Sequence, residues 1–488
     1  MREFPAPTSW KMFVNGEWVE AEDSTTIDVF TPIDRNVVIA TVPDGKAEDA
    51  NKAITAARAA FPDWSALHFK ERQRLLSACA DALESESEVL AQLTALDTGN
   101  ALRTQARPEA ASLVELFRYM AGVAAEIKGA TLPAGDRQLQ YTRREPLGVV
   151  AGILPWNSPL MIAGFKTPAA LAAGNTVILK AAAEAPLTIL KMAEIISDIL
   201  PPGVLNVVTG RGSVIGEALV QSPKVDKVSF TGSSSVGRHV AEIAGKRLAH
   251  SSMELGGKSP NIIFPDADND DTLEQVILAT RFARQGQSCT AGSRLFLHED
   301  IYASFLSRLV DRIAKMKVGD PREEASDIGC VINQKQYDQI SRYIESGKSM
   351  PGVEIAYDGS ANLDVNEAGF YHAPIVFSRS RNDWETSQEE IFGPVLSVIP
   401  WTNLDEVIHL SNDSDYGLAA YIFTQDLDKA LTTASRIQSG WVQINQGGGQ
   451  VVGQSYGGYK ASGFGREASL EGVLEGFTQI KQINVSLN

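Results

Sequence analysis

The chain has 488 residues, of which 44% are hydrophobic and 21% are charged, and its formal net charge is −16. A chain of this length exceeds what one hydrophobic core supports, so we expect two or three domains. The negative charge argues against nucleic-acid binding and favours a protein that meets small molecules.

No targeting or membrane segment is predicted. Met1 to Asn15 contains prolines and polar residues rather than an apolar run with a cleavage site, and no apolar segment reaches membrane-spanning length. The cysteines are too few for a disulfide framework and their spacing gives no zinc pair; they are Cys79, Cys289 and Cys330. The six histidines show no metal-ligand spacing. We expect a cytoplasmic protein without a metal or a membrane contact.

The first predicted elements are packing elements. Lys11 to Glu20 predicts two short strands around Asn15-Gly16, a pair that favours a tight hairpin turn. Apolar residues recur at helical spacing over 47–61, 71–96 and 109–125. Arg137 to Arg144 is short, basic and alternating, which favours an exposed strand. Two alternatives remain open for it: a solvated edge, or a strand that pairs with another subunit.

Short apolar runs alternate with helical stretches between Leu147 and Phe264. The predicted strands cover 148–154, 176–179, 204–208 and 225–230, and the predicted helices cover 160–173, 187–199, 213–221 and 234–246. This alternation predicts an α/β fold with a parallel sheet, whose ligands bind beyond the carboxyl ends of its strands.

A second α/β pattern follows, and we expect it to form a separate sheet. Its predicted helices cover 270–284 and 301–316, and its predicted strands cover 294–297, 395–399, 419–423 and 441–445. The glycine run 446–450 should be a loop.

Three stretches at strand ends are candidate dinucleotide contacts. Phe230-Thr231-Gly232-Ser233 follows a strand and opens a helix, where free amides and a hydroxyl can hold a pyrophosphate; an ordinary capped turn is the alternative. Lys180 ends a buried strand, so its ammonium must find a partner such as an adenosine ribose or reach water. The stretch 210–216 resembles a dinucleotide fingerprint, with one residue too many before its last glycine.

Two residues could carry chemistry. Cys289 lies in a loop of small residues, 286–292, as a candidate nucleophile, although a lone cysteine is more often a buried, inert thiol. Glu254 lies among apolar residues and glycines, where desolvation raises the pKa of a carboxyl and suits a general base, although a structural role is common there. The run 453–457 matches a serine nucleophile elbow only formally, because no histidine follows His409.

Six motifs, in order along nearly the whole chain, resemble the aldehyde dehydrogenase superfamily: Pro155-Trp-Asn-Ser-Pro159, Phe230-Thr-Gly-Ser233, Glu254-Leu-Gly-Gly-Lys258, Gly286-Gln-Ser-Cys289, Glu389-Glu-Ile-Phe-Gly-Pro-Val395 and Gly457-Gly-Tyr-Lys-Ala-Ser-Gly-Phe-Gly-Arg-Glu467. The resemblance implies an α/β fold of three parts. These are a Rossmann-type coenzyme domain (1–125 and 147–257), an α/β catalytic domain (258–473) and a β oligomerisation arm (126–146 and 474–488). It also implies a homodimer or homotetramer.

The resemblance further implies oxidation of an aldehyde to the acid with NAD or NADP. Cys289 would attack the aldehyde, Asn157 would hold the oxyanion, and Glu254 would activate the hydrolytic water. Two positions would assist proton transfer and site organisation: Lys166 and Glu467. Positions matching coenzyme contacts are Leu154, Pro155, Trp156, Lys180, Gly212, Gly216, Phe230, Thr231, Gly232, Ser233, Leu255, Glu390 and Phe392. Candidate substrate-pocket residues are Ser158, Ile162, Phe165, Val452 and Tyr456.

Two departures from the family pattern bear on specificity. NAD-preferring relatives commonly have a glutamate three residues after the lysine; here that position is Ala183, and Glu184 follows, so NADP should be tolerated with NAD still expected. Ser158 and the glycine run 446–450 replace bulkier residues, which predicts a roomier tunnel and a preference for medium to large apolar or aromatic aldehydes.

Three alternatives remain. A CoA-acylating relative is disfavoured because Glu254 retains the hydrolytic base. A catalytically silent dinucleotide-binding structural protein is disfavoured because Cys289, Glu254 and Asn157 occur together. A cysteine hydrolase without a coenzyme would leave the coenzyme-binding stretches unexplained.

Overall fold

The computed structural model describes residues 3–487. Met1, Arg2 and Asn488, which the predicted coenzyme domain and arm include, lie outside the described residues. Within the described chain, no helix is long and apolar enough to cross a membrane.

The strands, numbered in chain order, are β1 Thr8–Ser9, β2 Met12–Val14, β3 Glu17–Val19, β4 Thr26–Thr31, β5 Asp34–Pro43, β6 Thr131–Leu132, β7 Gln138–Pro146, β8 Val149–Ile153, β9 Thr176–Lys180, β10 Leu205–Val208, β11 Lys227–Thr231, β12 His250–Glu254, β13 Pro260–Ile263, β14 Arg294–His298, β15 Glu354–Asp358, β16 Ile375–Ser378, β17 Val395–Trp401, β18 Tyr416–Gly417, β19 Ala419–Phe423, β20 Trp441–Ile444, β21 Tyr459–Lys460, β22 Gly463–Phe464 and β23 Thr478–Ser486.

The α-helices are α1 Ala47–Ala66, α2 Phe69–Ser85, α3 Ser87–Thr98, α4 Arg107–Val123, α5 Pro159–Ala172, α6 Leu187–Ile196, α7 Glu217–Gln221, α8 Ser234–Lys246, α9 Asp270–Thr280, α10 Tyr302–Ile313, α11 Gln334–Lys348, α12 Glu385–Gln388, α13 Leu404–Asn412, α14 Leu427–Arg436 and α15 Leu470–Gly476. Short π-helical turns cover Leu102–Ala106 and Gly212–Gly216, and short 3-10 turns cover Ala124–Glu126, Pro265–Ala267, Phe282–Arg284, Glu299–Ile301 and Gly359–Asn362.

The first large sheet confirms the predicted parallel α/β architecture. Its eight strands lie in the order β22-β12-β11-β8-β9-β10-β2-β3, and the five strands from β8 to β12 run parallel. The predicted hairpin is also confirmed, because β2 pairs with β3 and both turn residues have positive φ: 56° at Asn15 and 80° at Gly16. The carboxyl ends of the parallel strands therefore share one edge, where ligands bind in such sheets.

Strand β12 was not predicted from the sequence. His250-Ser251-Ser252 offers no apolar alternation, so nothing in the pattern marks a buried strand. In the structure β12 pairs with β11 and places Glu254 opposite Thr231. The missed strand thus fixes the position of the proposed base.

The second large sheet is separate, as predicted. Its seven strands lie in the order β15-β16-β17-β14-β13-β19-β20, and the four predicted strands correspond to β14, β17, β19 and β20. The sequence prediction missed β15, β16 and the interior strand β13, whose four residues Pro260-Asn-Ile-Ile are too short and mixed to show a period. The run 446–450 is a loop, as predicted.

The predicted helices are present, with three local differences. The stretch 71–96 breaks at Glu86, whose φ of −110° and ψ of 14° end α2 and begin α3. The stretch 213–221 begins with the π-helical turn before α7. The stretch 270–284 breaks at Arg281, whose φ of 58° separates α9 from the 3-10 turn Phe282–Arg284. These differences lie where one element ends and the next begins, and periodicity carries little information there.

The predicted exposed strand is β7, which lies in a small sheet of order β23-β7-β6. Its nine-residue partner β23 comes from the end of the same chain, with Thr478 opposite Pro146 and Ser486 opposite Gln138. This arm sheet, defined as β6, β7 and β23, leaves Leu132, Leu139 and Ile480 between 43% and 61% exposed.

Candidate active site

A cavity of ≈ 300 Å³ opens where the carboxyl ends of β8, β11 and β12 meet segments of the second sheet. Residues predicted from the sequence form much of its wall: Pro155, Trp156, Asn157, Thr231, Gly232, Ser233, Glu254, Leu255, Cys289, Glu390 and Phe392. Stretches that lie far apart in the chain therefore converge on one cleft.

The loop that carries Cys289 has a constrained backbone. Arg281, Gln285 and Gly286 have φ of 58°, 56° and 69°. A Cβ on Gly286 would lie 2.0 Å from the carbonyl oxygen of Gly393, so only glycine fits this turn. The loop thereby presents Cys289 at the cavity wall.

The Cys289 thiol is close to the hydroxyl of Tyr456, with 3.4 Å between Sγ and the phenol oxygen. Burial, and then the carboxylate of Glu254, raise the pKa of this thiol to about 12, while the guanidinium of Arg284 acts in the opposite direction. The thiol is therefore protonated at neutral pH in the protein without ligands.

Asn157 lies between β8 and α5 and is held from both sides. Its Nδ2 donates to the carbonyl of Gln287 at 2.9 Å, and Asn100 Nδ2 donates to the Asn157 carbonyl at 3.0 Å. The backbone N–H of Cys289 donates to no group in residues 3–487. One amide hydrogen of Asn157 and the Cys289 N–H can therefore serve a developing oxyanion.

Glu254 ends β12 with a side chain that is only 3% exposed. Neither carboxyl oxygen has a hydrogen-bond partner within the described residues. Burial, followed by the charge of Glu467, raises the pKa of Glu254 to about 8. A carboxyl with this pKa can exchange a proton with water near neutral pH, which is the property of a general base.

Lys166 and Glu467 meet beneath this carboxyl as a buried ion pair, 2.7 Å apart. Ser229 bonds to both: Lys166 Nζ donates to its hydroxyl at 2.8 Å, and the hydroxyl donates to Glu467 at 2.9 Å. The remaining oxygen of Glu467 has no partner among the described residues. The structure thus brings together the two positions expected to assist proton transfer.

Part of the cavity wall has groups of the kind that bind a dinucleotide. The first turn of α8 leaves backbone N–H groups without helical partners, and Gly232 and Ser233 at its start line the cavity. At other predicted coenzyme positions, the rings of Trp156 and Phe392 meet edge to face at 5.4 Å, and Glu390 accepts from the Gly257 N–H at 2.9 Å.

Five predicted coenzyme residues do not line this cavity: Leu154, Lys180, Gly212, Gly216 and Phe230. Lys180 ends β9 and is 5% exposed, and burial lowers the pKa of its ammonium. A Cβ on Gly212 would lie 4.0 Å from Lys180 Nζ, whereas a Cβ on Gly216 would have no neighbour within 4 Å. Gly212 and Lys180 therefore lie together at the edge of the cleft.

The predicted substrate-side residues are likewise absent from the described wall of the cavity. Ile162, Phe165 and Ser158 are buried on or next to α5, Tyr456 is buried, and Val452 is half-buried. The Phe165 and Tyr456 rings lie 5.6 Å apart. Because Tyr456 touches the Cys289 thiol, this group reaches the sulfur without lining the cavity.

The sequence analysis assigned no role to several wall residues: Gly256, Asn333, Lys335, Gln336 and Gln339. Gln336 Nε2 donates to the carbonyls of Ile391 and Phe392 at 3.1 Å, which holds the Phe392 segment. The only local signal was Asn333, a helix N-cap residue before α11.

The chain is similar to enzymes that act on aldehydes. A sequence model described as the Aldehyde dehydrogenase family matches residues 18–483. Hydroxyisobutyraldehyde dehydrogenase from Mycolicibacterium austroafricanum is 40% identical over 477 residues, which cover 98% of this chain and 94% of that protein. Retinaldehyde dehydrogenase 3 from Rattus norvegicus is 39% identical over 483 residues, covering 98% and 93%. The NAD+ complex of an aldehyde dehydrogenase from Bacillus cereus matches with a TM-score of 0.94 at 37% identity, covering 98% of this chain and 97% of that one.

Proposed function

Because the chain belongs to the aldehyde dehydrogenase family, we propose that it oxidises an aldehyde to the carboxylic acid through the thiol of Cys289, with NAD+ as coenzyme. The observation that supports this most is the convergence of Cys289, Asn157 and Glu254 at one end of the cavity, with the start of α8 at the other. A thiol, oxyanion donors and a base are the groups that thioester chemistry requires.

The first step is loss of the Cys289 S–H proton to solvent water and attack of the resulting thiolate on the aldehyde carbon. Asn157 Nδ2–H and the Cys289 N–H donate to the oxygen as it gains negative charge, and donors of this kind contribute about 3 kcal/mol each. Bound NAD+ supplies the chemistry of hydride acceptance, which oxidises the thiohemiacetal to the thioester. The edge-to-face pair of Trp156 and Phe392 and the carboxylate of Glu390 would hold that group.

Hydrolysis of the thioester is the work of Glu254. Its carboxylate takes a proton from water as the oxygen attacks the acyl carbon, and Cys289 leaves as the thiolate. The ion pair of Lys166 and Glu467 keeps a fixed positive and negative charge beside Glu254. The charge of Glu467 raises the pKa of Glu254, and the charge of Lys166 lowers it. The pair therefore helps to set the pKa of the proposed base.

Larger aldehydes should be the better substrates. Ile162, Phe165 and Tyr456 are the apolar side chains expected on the substrate side, and all three are buried. We expect NADH absorbance to rise fastest with aromatic and medium-chain aldehydes, in an assay that also includes acetaldehyde, hydroxyisobutyraldehyde and retinaldehyde. Acetaldehyde with the highest kcat/KM would refute this preference, and no NADH with any aldehyde would refute the function.

Glu254→Gln should separate the two half-reactions. Since the carboxyl has a pKa of about 8, its base form fills as the pH rises. Wild-type kcat should therefore increase by about tenfold per pH unit below that value and level off above it, if hydrolysis limits turnover. The variant should give one burst of NADH per active site and then stop, with the acyl group on Cys289 seen by mass spectrometry.

Glu274→Gln, which alters a carboxylate paired with Arg312 on the protein surface, is the matched control and should keep the wild-type profile. Full turnover by Glu254→Gln would assign the base elsewhere. If coenzyme A restored turnover and acyl-CoA formed, the CoA-acylating alternative would be favoured. If Cys289→Ala still formed NADH, the reaction would not depend on the Cys289 thiol.

Coenzyme preference should depend on Glu184. This exposed carboxylate lines the cavity and acts on Lys180, so it occupies the region where a 2′-phosphate would lie. We propose that NAD is preferred and that NADP is tolerated, because the carboxylate of Glu184 lies one residue after the position where NAD-preferring relatives commonly have a glutamate. Glu184→Gln should raise the NADP/NAD ratio of kcat/KM about fivefold, as expected for loss of about 1 kcal/mol of repulsion.

Glu194→Gln, on the outside of α6 and paired with Lys191, should leave that ratio unchanged. An undetectable rate of the wild type with NADP would contradict tolerance, and an unchanged ratio in Glu184→Gln would remove Glu184 from coenzyme selection.

The arm sheet should join subunits into a homodimer or homotetramer. Its strands have many exposed residues, and some of these are apolar, including Ile480 at 61% exposure. Exposed apolar side chains on an open sheet favour contact with another protein surface. Ile480→Lys should lower the molecular mass of the assembly that light scattering measures. Leu248→Lys, which changes a turn residue with 91% exposure, should leave that mass unchanged. A monomeric wild-type protein would contradict the proposal.

The domain division predicted from the sequence remains part of this proposal. A reducing cytoplasm is the proposed compartment, because the mechanism requires a free thiol and Cys79, Cys289 and Cys330 are all unpaired.

A further inference from the structure

Arg284 lies five residues before Cys289, at the end of the 3-10 turn Phe282–Arg284. Its guanidinium donates from Nη2 to the hydroxyl of Ser158. Its Nε is buried and has no hydrogen-bond partner among the described residues. The space that a serine leaves at position 158 therefore contains a charged group with unused donors.

No carboxylate forms an ion pair with Arg284 in residues 3–487. Glu109 is the nearby acid, but its oxygens are engaged elsewhere: Oε1 accepts from the Leu160 N–H at 2.9 Å and Oε2 from Gln105 at 3.3 Å. Glu109 acts on Arg284 only as a longer-range charge. A desolvated guanidinium without a direct carboxylate partner is costly, and an anionic ligand would remove that cost.

A second guanidinium makes the region net positive. Arg281 donates to neutral acceptors only, namely the carbonyls of Leu278 and Gly448 and the hydroxyl of Tyr421, at 3.1, 2.7 and 3.2 Å. The two guanidinium groups of Arg281 and Arg284 carry two positive charges, and the nearby Glu109 carboxylate carries one negative charge. One positive charge is therefore not compensated.

This charge lies close to the Cys289 sulfur but outside the coenzyme cavity. Arg284, Ser158 and Tyr456 are not among the residues that line that cavity, whereas Cys289 and Asn157 are. Tyr456 touches Cys289, and the charge of Arg284 acts on both residues. With the coenzyme in the cavity, we infer that the body of the aldehyde extends toward these residues.

We propose that Arg284 binds a carboxylate at the far end of the aldehyde substrate, so that the enzyme favours aldehydes that bear a carboxylate over apolar aldehydes of the same size. The inference rests on the proposed function and narrows its substrate class. The apolar side chains of Ile162 and Phe165 contact the carbon skeleton, and the planar guanidinium fork selects the carboxylate at its end.

The kinetic experiment compares matched aldehydes in the same enzyme: 4-carboxybenzaldehyde, 4-methylbenzaldehyde and the 4-trimethylammonium analogue. In the wild type kcat/KM should be at least about tenfold higher for the carboxylate than for the methyl compound, and lowest for the cation. Arg284→Met should lower the carboxylate/methyl ratio at least about tenfold, and Arg284→Lys should retain part of it. Arg312→Met removes a surface guanidinium that pairs with Glu274, and should keep the wild-type ratio.

A binding experiment tests the same inference without turnover. In titration calorimetry the wild type should bind 4-carbamoylbenzoate about tenfold more tightly than 4-methylbenzamide, which lacks the carboxylate, and Arg284→Met should lose that difference. NADH formation without a carboxylate preference in the wild type would overturn the inference and leave the proposed function standing. Arg284-dependent binding of 4-carbamoylbenzoate without NADH from any aldehyde would support the inference and refute the proposed function. If Arg284→Met does not fold, the wild-type kinetic and binding ratios decide the question.

Discussion

The burial of the Glu254 carboxyl is the constraint on which the site depends. Its position is set by backbone pairing: β12 lies between β11 and β22, with Glu254 opposite Thr231 on one side and Gly463 on the other. A buried, unpartnered carboxylate is costly, and the carboxyl avoids that cost by holding its proton, which raises its pKa to about 8. The raised pKa that suits Glu254 to the proposed role of base is thus also what lets the fold bury its carboxyl.

The ion pair beneath Glu254 follows from the same constraint. Lys166 on α5 is fully buried, so its ammonium requires a partner, and Glu467 supplies one from a distant part of the chain. The segment 457–467 that carries Glu467 also contains β22, which extends the first sheet beside β12. Removal of either charge would leave the other buried without its partner, so the pair ties the end of the chain to the sheet that carries Glu254.

Sequence patterns predicted the elements whose apolar residues recur at a regular spacing and missed the elements that depend on contacts between distant residues. The parallel strands β8, β9, β10 and β11 were predictable because each is an apolar run bounded by helical stretches. Strand β12 was not predictable in this way, because its buried Ser252 is accommodated by hydrogen bonds: Lys227 donates to Ser252, and Ser252 donates to Ser229. Polar residues that pair in the core carry no signal in a pattern of apolar positions.

For the site, the motifs named Cys289, Asn157 and Glu254, and the structure places all three on one cavity. Arg284 could not be found this way, since an arginine in a loop usually faces water and only the contact with Ser158 shows otherwise.

The two sides of the Cys289 sulfur differ in electrostatic character, and this difference orders the chemistry. Burial, and then the carboxyls of Glu254 and Glu390 in the cavity wall, raise the pKa of the thiol, whereas Arg284, which does not line that cavity, opposes them. An anionic substrate group at Arg284 would weaken that opposition, so substrate binding and thiolate formation would compete for one positive charge. Arg281 bonds only neutral acceptors and holds the loop at Gly448, so Arg284 is the guanidinium that would be subject to this competition.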